Sequence, residues 1–320
     1  MIQVEDLTKR YGARTAIDRL TFHANKGEIV GFLGPNGAGK TTTMRILTGF
    51  MPPSEGSGRV AGFDLLTESL EVRKRVGYLP ESVPLYPEMT VVQYLDFMAE
   101  LRQIPNRADR VDEVMEIVRI DDRAESYVGN LSKGLRQRVG LAQALLHKPE
   151  VLIMDEPMDG LDPQQQKEVK GLIREIGKEQ TVMLSTHILA HAQELCNRVI
   201  IIAGGRIVAE DTPERLSTQI AGGGRIHLQV DGDSDGLVEA LRAISGVVDV
   251  RRVSGDRFEI ETAPGSDGRA KVAHAVVTGG WRLLELHRDK ASLEEIFLEL
   301  TRDEKGAQSS PAPSEEKQST

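Results

Sequence analysis

The chain has 320 residues, enough for about two domains. It is 39% hydrophobic and 28% charged, an ordinary globular composition, and its net charge of −9 argues against a dedicated nucleic-acid binder, which needs a basic surface. Its single cysteine, Cys196, excludes an internal disulfide, fits a reducing compartment, and reads as a packing residue in a helical pattern.

The first residues, Met1-Ile2-Gln3-Val4-Glu5-Asp6, carry charge at once, which is not the pattern of a signal peptide. Residues 1–33 read as strands: Ile2-Gln3-Val4, Leu20-Thr21-Phe22-His23 and 28–33, with turns at Tyr11-Gly12 and Asn25-Lys26-Gly27. Tyr11 has the right chemistry to stack on a base. Taken alone, it also reads as a turn aromatic packed on a sheet.

Gly34-Pro35-Asn36-Gly37-Ala38-Gly39-Lys40-Thr41-Thr42 reads as a phosphate-binding loop. The apolar run Ile29-Val30-Gly31-Phe32-Leu33 supplies the preceding strand, and 42–47 begins a helix, which is the context this motif requires. Glycines let the backbone fold tightly so that N–H groups converge on phosphate oxygens, and the helix N-terminus adds partial positive charge. Lys40 can then reach the β- and γ-phosphates, and the Thr41 hydroxyl can ligand Mg²⁺.

Residues 56–62 read as a hairpin, followed by a helical stretch to Arg75 and a strand, 75–81, that ends in a proline turn. From 90 to 147 the pattern is mostly helical, at 90–101, 107–120 and 134–147, which suggests a subdomain. Glu150-Val151-Leu152-Ile153-Met154-Asp155-Glu156-Pro157 is a buried-type strand ending in two acids. At the carboxyl end of a parallel strand these point into the ligand crevice. One acid there can simply end a strand; two suggest an Mg²⁺ partner and a water-activating base. Asp162 and Pro163 open a helix to about Gly177 as N-cap and first residue. Thr181-Val182-Met183-Leu184-Ser185-Thr186 is another buried strand, and the alternation implies a mainly parallel sheet.

His187 and His191 have the spacing of zinc ligands on one helix face, but Ile188 stands where a zinc hydrolase has glutamate, so a metal there is rejected. Histidines 23, 147, 227, 274 and 287 form no cluster in the sequence. The longest apolar run, Val199-Ile200-Ile201-Ile202-Ala203, is strand-sized and far below the roughly 20 residues of a membrane helix. A membrane role is therefore expected to run through a partner. Residues 198–211 read as a hairpin, 213–220 as a short helix and 221–224 as a linker. Beyond it the order strand 226–230, helix 235–244, strands 247–253 and 257–262, helix 269–278 and strand 282–287 suggests a small α+β ferredoxin-like unit. A last helix at 292–302 and a disordered tail at 303–320 are expected to follow.

Together these motifs resemble the ATP-binding cassette (ABC) ATPases over residues 1–220. Leu131-Ser132-Lys133-Gly134-Leu135-Arg136-Gln137-Arg138 resembles the family signature, Asp155-Glu156 the Walker B end, Gly160-Leu161-Asp162 the D-loop, His187 the switch histidine, and Tyr78-Leu79-Pro80-Glu81 the Q-loop. The resemblance implies a P-loop NTPase α/β fold with antiparallel β and α-helical subdomains, the latter at about 90–147. The accessory domain would occupy 225–302, as in exporters linked to drug, sodium or gliding-motility systems.

The resemblance also implies roles. Tyr11 would stack on adenine, and Gly34, Pro35, Asn36, Gly37, Ala38, Gly39, Lys40, Thr41 and Thr42 would hold the phosphates of ATP. Thr41, Asp155 and Glu81 would serve Mg²⁺. Glu156 would polarise the attacking water, with His187 and Lys40 at the γ-phosphate. Ser132 and Gly134 would reach the γ-phosphate of an opposite subunit, which implies a homodimer or heterodimer closed by ATP. Three positions depart from the family pattern: Glu81 replaces the usual glutamine, Lys133 and Leu135-Arg136 alter the signature, and Met158 replaces a small hydroxyl residue. The expected protein is an ATP-hydrolysing subunit that is peripheral on the cytoplasmic face of the cell membrane and drives a separate integral-membrane permease. Part of the permease dock is expected near 86–97, where the aromatics read equally well as a helix core. Nucleic acid is not expected as a partner. The alternative is a soluble cassette ATPase acting on ribosomes or DNA.

Overall fold

The computed structural model describes residues 1–219, 225–231, 234–263 and 268–288. The chain packs as two compact units that divide between Thr212 and Pro213. In the first, β1 (Ile2–Tyr11) and β2 (Arg14–Ala24) pair antiparallel, and β4 (Glu55–Val60) and β5 (Phe63–Asp64) extend the sheet in the order β2-β1-β4-β5. A second sheet has the order β10-β9-β3-β8-β7-β6. It comprises β3 (Ile29–Leu33), β6 (Val76–Leu79), β7 (Val151–Asp155), β8 (Thr181–Thr186) and β9 (Arg198–Ala203), all parallel, with β10 (Arg206–Asp211) antiparallel at its edge.

Strands β3, β7 and β8 are buried at every position, which is why they read as continuous apolar runs rather than alternating ones. One face, including Val30, Phe32, Val151, Ile153 and Met183, shares a core with the antiparallel sheet and with Met44, Ile46 and Leu47 of α1 (Lys40–Leu47). Against the other face, a Cβ built on Gly31 would lie 2.8 Å from Cys196 Sγ, so the glycine makes room for the cysteine. Burial pushes the Cys196 thiol up to about 12, and it acts as packing.

Several helix limits differ from the sequence expectation, by one or more residues. Helix α2 (Ser69–Arg75) starts late because Asp64 Oδ1 accepts from the Leu66 and Thr67 N–H groups and holds a turn ahead of it. Helix α3 (Val91–Leu101) lies where the periodicity suggests a helix, and it opens with a Thr90–Gln93 capping box. Helix α4 (Arg107–Ile117) stops before 120 because Arg119 takes a left-handed φ of 58°. Helix α5 (Lys133–Leu145), capped by Ser132, completes the helical region. Helix α6 (Pro163–Ile176) starts at Pro163, with the Asp162 side chain accepting from Gln165 N–H. Helix α7 (Leu189–Leu195) begins after His187, so His187 and His191 do not share a helix face.

The second unit contains α8 (Pro213–Gln219), β11 (Arg225–Asp231), α9 (Leu237–Arg242), β12 (Val247–Ser254), β13 (Arg257–Thr262), α10 (Arg269–Thr278) and β14 (Arg282–Arg288). Its antiparallel sheet has the order β12-β13-β11-β14, the ferredoxin-like arrangement. Ile226, Leu228, Phe258 and Ile260 form its core with Leu237 and Leu241 of α9 and Val272 and Val276 of α10. The register pairs His227 with His287, whose rings stack with centroids 5.1 Å apart; distant in sequence, they are neighbours in the sheet. The expected linker at 221–224, helix at 292–302 and tail at 303–320 lie outside the described residues. Among the described residues no helix is long and apolar enough to cross a membrane.

Candidate active site

Parallel register assembles the site. Leu33 pairs with Thr186, and Asp155 pairs with Ser185, so three strand ends lie at one edge of the sheet. The phosphate loop, Glu156 and His187 each follow one of those ends. This is the carboxyl edge, where open α/β sheets bind ligands.

The loop uses its glycines for two different reasons. A Cβ on Gly34 would lie 2.4 Å from the Ile202 carbonyl oxygen, so the backbone passes too close for any side chain. Gly39 has φ +109°, and a Cβ there would lie 2.6 Å from Ile17 Cγ2. Gly39 is also the N-cap of α1 and has no side chain to accept from the first turn. Those N–H groups are thus available to an anion. Ala38 is buried beneath the loop.

Lys40 is only 6% exposed, and its ammonium donates to the Gly34 carbonyl at 2.7 Å and the Pro35 carbonyl at 3.3 Å. It also lies 3.2 Å from Glu156 Oε1, an ion pair without hydrogen-bond geometry. The Glu156 backbone has φ +48°, an uncommon conformation for a non-glycine residue and a frequent mark of functional positions. Its other carboxylate oxygen, Oε2, accepts from His187 Nδ1 at 3.0 Å. Glu156 thus joins the lysine of the phosphate loop to the histidine after β8.

Asp155 is almost fully buried. Its Oδ1 accepts from Ser185 Oγ at 2.5 Å, and its Oδ2 has no protein partner. Ser185 Oγ also accepts from Glu156 N–H at 2.9 Å, so one hydroxyl orients both acids. The unpartnered Oδ2 and the Thr41 hydroxyl position fit Mg²⁺, which is commonly held by one or two protein oxygens plus substrate phosphates and water. Among the described residues no group of three His, Cys, Asp or Glu side chains gathers as a metal site.

The cavity over these groups measures about 580 Å³, within the range of small-molecule sites. Tyr11, Asn36, Gly37, Thr41, Thr42 and Glu81 line it along with Lys40, Glu156 and His187. Tyr11 is 48% exposed, and its hydroxyl donates to Met51 Sδ at 3.1 Å. Ser132 and Gly134 are not in this cavity. They line a separate one of about 290 Å³ with Asp162 and Gln165, and Ser132 Oγ accepts from Leu135 N–H as the cap of α5. Lys133 pairs with Asp159 at 3.6 Å.

Four residues of the site escaped the sequence reading. Arg14, Ala16 and Asp159 line the cavity, and Ser185 holds the acids. The signal for Ser185 was a hydroxyl residue at the carboxyl end of a buried strand. Arg14 and Ala16 carry no signal beyond following the Tyr11-Gly12 turn.

Comparison with known proteins agrees with this architecture. The family model described as ABC transporter matches residues 17–159. The linearmycin resistance ATP-binding protein LnrL of Bacillus subtilis (strain 168) is 31% identical over 308 residues, covering 94% of this chain and 98% of that protein. Nod factor export ATP-binding protein I of Paraburkholderia xenovorans (strain LB400) is 35% identical over 306 residues, covering 94% and 96%. A solved structure of an ATP-binding subunit of an ABC transporter superposes with a TM-score of 0.62 at 32% identity, covering 69% of this chain and 93% of that one. With its phosphate loop, paired acids and histidine gathered at one sheet edge, the chain belongs to the ATP-binding, ATP-hydrolysing subunits of the ABC transporters.

Proposed function

We propose that the site built around Glu156 hydrolyses MgATP to drive export through a separate integral-membrane permease. The observation that carries the reading is the convergence of Lys40 and His187 on the two oxygens of one buried carboxylate. A phosphate group entering the loop offers Lys40 a stronger anionic partner than the two loop carbonyls. Lys40 then leaves Glu156 Oε1, which is freed to take a proton from the attacking water. His187 keeps Glu156 oriented through Oε2 and stands beside the γ-phosphate. Tyr11 stacks on adenine at the cavity mouth, and the backbone from Gly34 to Thr42 receives the phosphates. Thr41 and Asp155 would hold Mg²⁺, with Glu81 as a further acidic neighbour. When bound, the metal neutralises charge developing on the phosphate oxygens.

Ser132 and Gly134 serve the nucleotide of a second ATPase subunit. In support, they face a cavity other than the one holding Lys40. The export reading draws on relatives named for linearmycin resistance and Nod factor export. It places the chain on the cytoplasmic face of the membrane beside its permease, with the second unit as an accessory domain. The ribosome- or DNA-directed alternative draws no support from these relatives.

Glu156→Gln tests the chemistry: hydrolysis is expected to stop while ATP binding, followed by equilibrium dialysis, persists. Normal turnover in that variant would remove Glu156 as the base. Purification of the tagged chain from gently solubilised native membranes tests the transport reading. A stoichiometric multi-span membrane protein supports it, and recovery of ribosomal or DNA-bound partners alone refutes it.

A further inference from the structure

His191 has no part in the chemistry above, yet it is 5% exposed and directed at a specific partner. Its Nε2 lies 3.2 Å from Gln166 Oε1, and Gln166 Nε2 lies 3.1 Å from the Leu161 carbonyl oxygen. A carbonyl oxygen only accepts, so the carboxamide nitrogen must face Leu161 and the carboxamide oxygen must face His191. The histidine must then carry hydrogen on Nε2. The chain of donors is therefore directional: His191 Nε2–H to Gln166, and Gln166 Nε2–H to the Leu161 carbonyl. Burial, reinforced by the nearby Lys170 ammonium, lowers the His191 pKa and favours the neutral ring.

The two ends of this chain sit beside the two segments that follow β7 and β8 at the site. His191 is in α7, which begins just after His187, the residue hydrogen-bonded to Glu156. Leu161 belongs to the turn that follows Glu156, contains the cavity-lining Asp159, and ends at Asp162, the cap of α6. Asp159 N–H donates to the Glu156 carbonyl at 3.1 Å, so the turn is continuous with the acid itself. Glu156 is thus approached by His187 directly, and the turn behind it is tied to the same helix through Gln166.

We propose that His191 and Gln166 are positioning residues that lock the His187 segment to the 156–162 turn, so that the two move as one body when nucleotide binds. The proposal rests on the assignment of Glu156 as the base and His187 as its partner. A fixed relay holds the attacking geometry, and buried hydrogen-bonded networks rigidify their surroundings. Neither His191 nor Gln166 lines the cavity over Lys40 and Glu156, so loss of the relay acts on turnover rather than on binding.

The test is steady-state ATPase activity of the full-length chain. His191→Ala and Gln166→Ala are each expected to lower kcat about tenfold, with KM for ATP within about twofold of wild type. The double variant is expected to be no slower than either single one, because both remove the same relay. His191→Gln puts an N–H donor back near the position of Nε2 and is expected to recover most of the activity. Gln166→Glu keeps an acceptor for His191 but removes the donor to Leu161, and is expected to be as slow as Gln166→Ala. Wild-type kcat in Gln166→Ala or Gln166→Glu, additive losses in the double variant, or a His191→Gln as slow as His191→Ala each overturn the proposal. Should His191→Ala fail to fold, the glutamine and glutamate variants decide. Glu156→Gln is run alongside: turnover there refutes the site assignment, whereas a dead Glu156→Gln with an active Gln166→Ala refutes the relay alone.

Discussion

Ser185→Ala removes a single oxygen atom from the centre of the site, and its consequences can be worked from the geometry. The hydroxyl donates to Asp155 Oδ1 at 2.5 Å and accepts from Glu156 N–H at 2.9 Å, at a position with no solvent exposure. A hydrogen bond to a carboxylate contributes about 1.5–3 kcal/mol, and an orphaned buried N–H costs about 1–3 kcal/mol. Asp155 would be left with neither oxygen satisfied by protein, since Oδ2 already has no partner. The expected destabilisation of the first unit is about 3–5 kcal/mol, a fall of roughly 6–20 °C in its melting temperature. The loss is expected to shrink when MgATP is present, because a cation near Asp155 re-satisfies the carboxylate that the serine abandoned. Thermal melts with and without MgATP, together with ATPase rates, measure this. Unchanged melting in both conditions would refute the argument that the hydroxyl satisfies both acids. Equal destabilisation with and without MgATP would refute the placement of the metal at Asp155.

Lys40→Ala is expected to weaken ATP binding at least tenfold, because the buried ammonium is the side-chain cation nearest Glu156 in the loop; unchanged affinity in a nucleotide titration would contradict its phosphate role. Ser132→Ala is expected to impair the neighbouring site, so a mixed dimer with one Ser132→Ala and one Lys40→Ala subunit should keep one functional composite site, because both lesions fall on the other, whereas both lesions in one subunit opposite a wild-type partner should damage both sites. Loss confined to the subunit carrying Ser132→Ala would contradict a shared site. Burial, with the nearby Arg102 guanidinium second, lowers His147 from its ordinary value to about 4. The unfolded chain therefore binds a proton that the folded chain refuses between about pH 6.5 and 4, and stability is lost as pH falls through that window. His147→Gln is expected to flatten that part of the stability curve, measured by urea unfolding at pH 7.5 and pH 5. An equal loss of stability in variant and wild type would remove His147 as a cause.

Much of the site was legible because its chemistry is carried by local words in the chain. The phosphate loop needs glycines, a lysine and a hydroxyl in a fixed order, since each serves a few consecutive backbone groups. Apolar runs ending in acids or in a histidine mark buried parallel strands, because such strands have no polar face. The helix start at Asp162 was readable from its capping side chain, whose bond reaches only three residues ahead, whereas the caps at Thr90 and Ser132 emerged only in the structure.

Contacts that bridge distant segments were not readable. Ser185 serves two acids 29 and 30 residues away, and His191 reaches Gln166 across 25 residues. The spacing of His187 and His191 suggested a common helix face, but the helix begins only at Leu189, so the two rings serve different partners. The stacking of His227 on His287 depends on register between strands far apart in the chain. By itself the sequence determined which segments become strands, helices and the phosphate loop, because propensity, periodicity and capping act over a few residues. Only the tertiary structure decided which side chains meet around Glu156, because parallel strands are aligned by long-range pairing and core packing that no local pattern encodes.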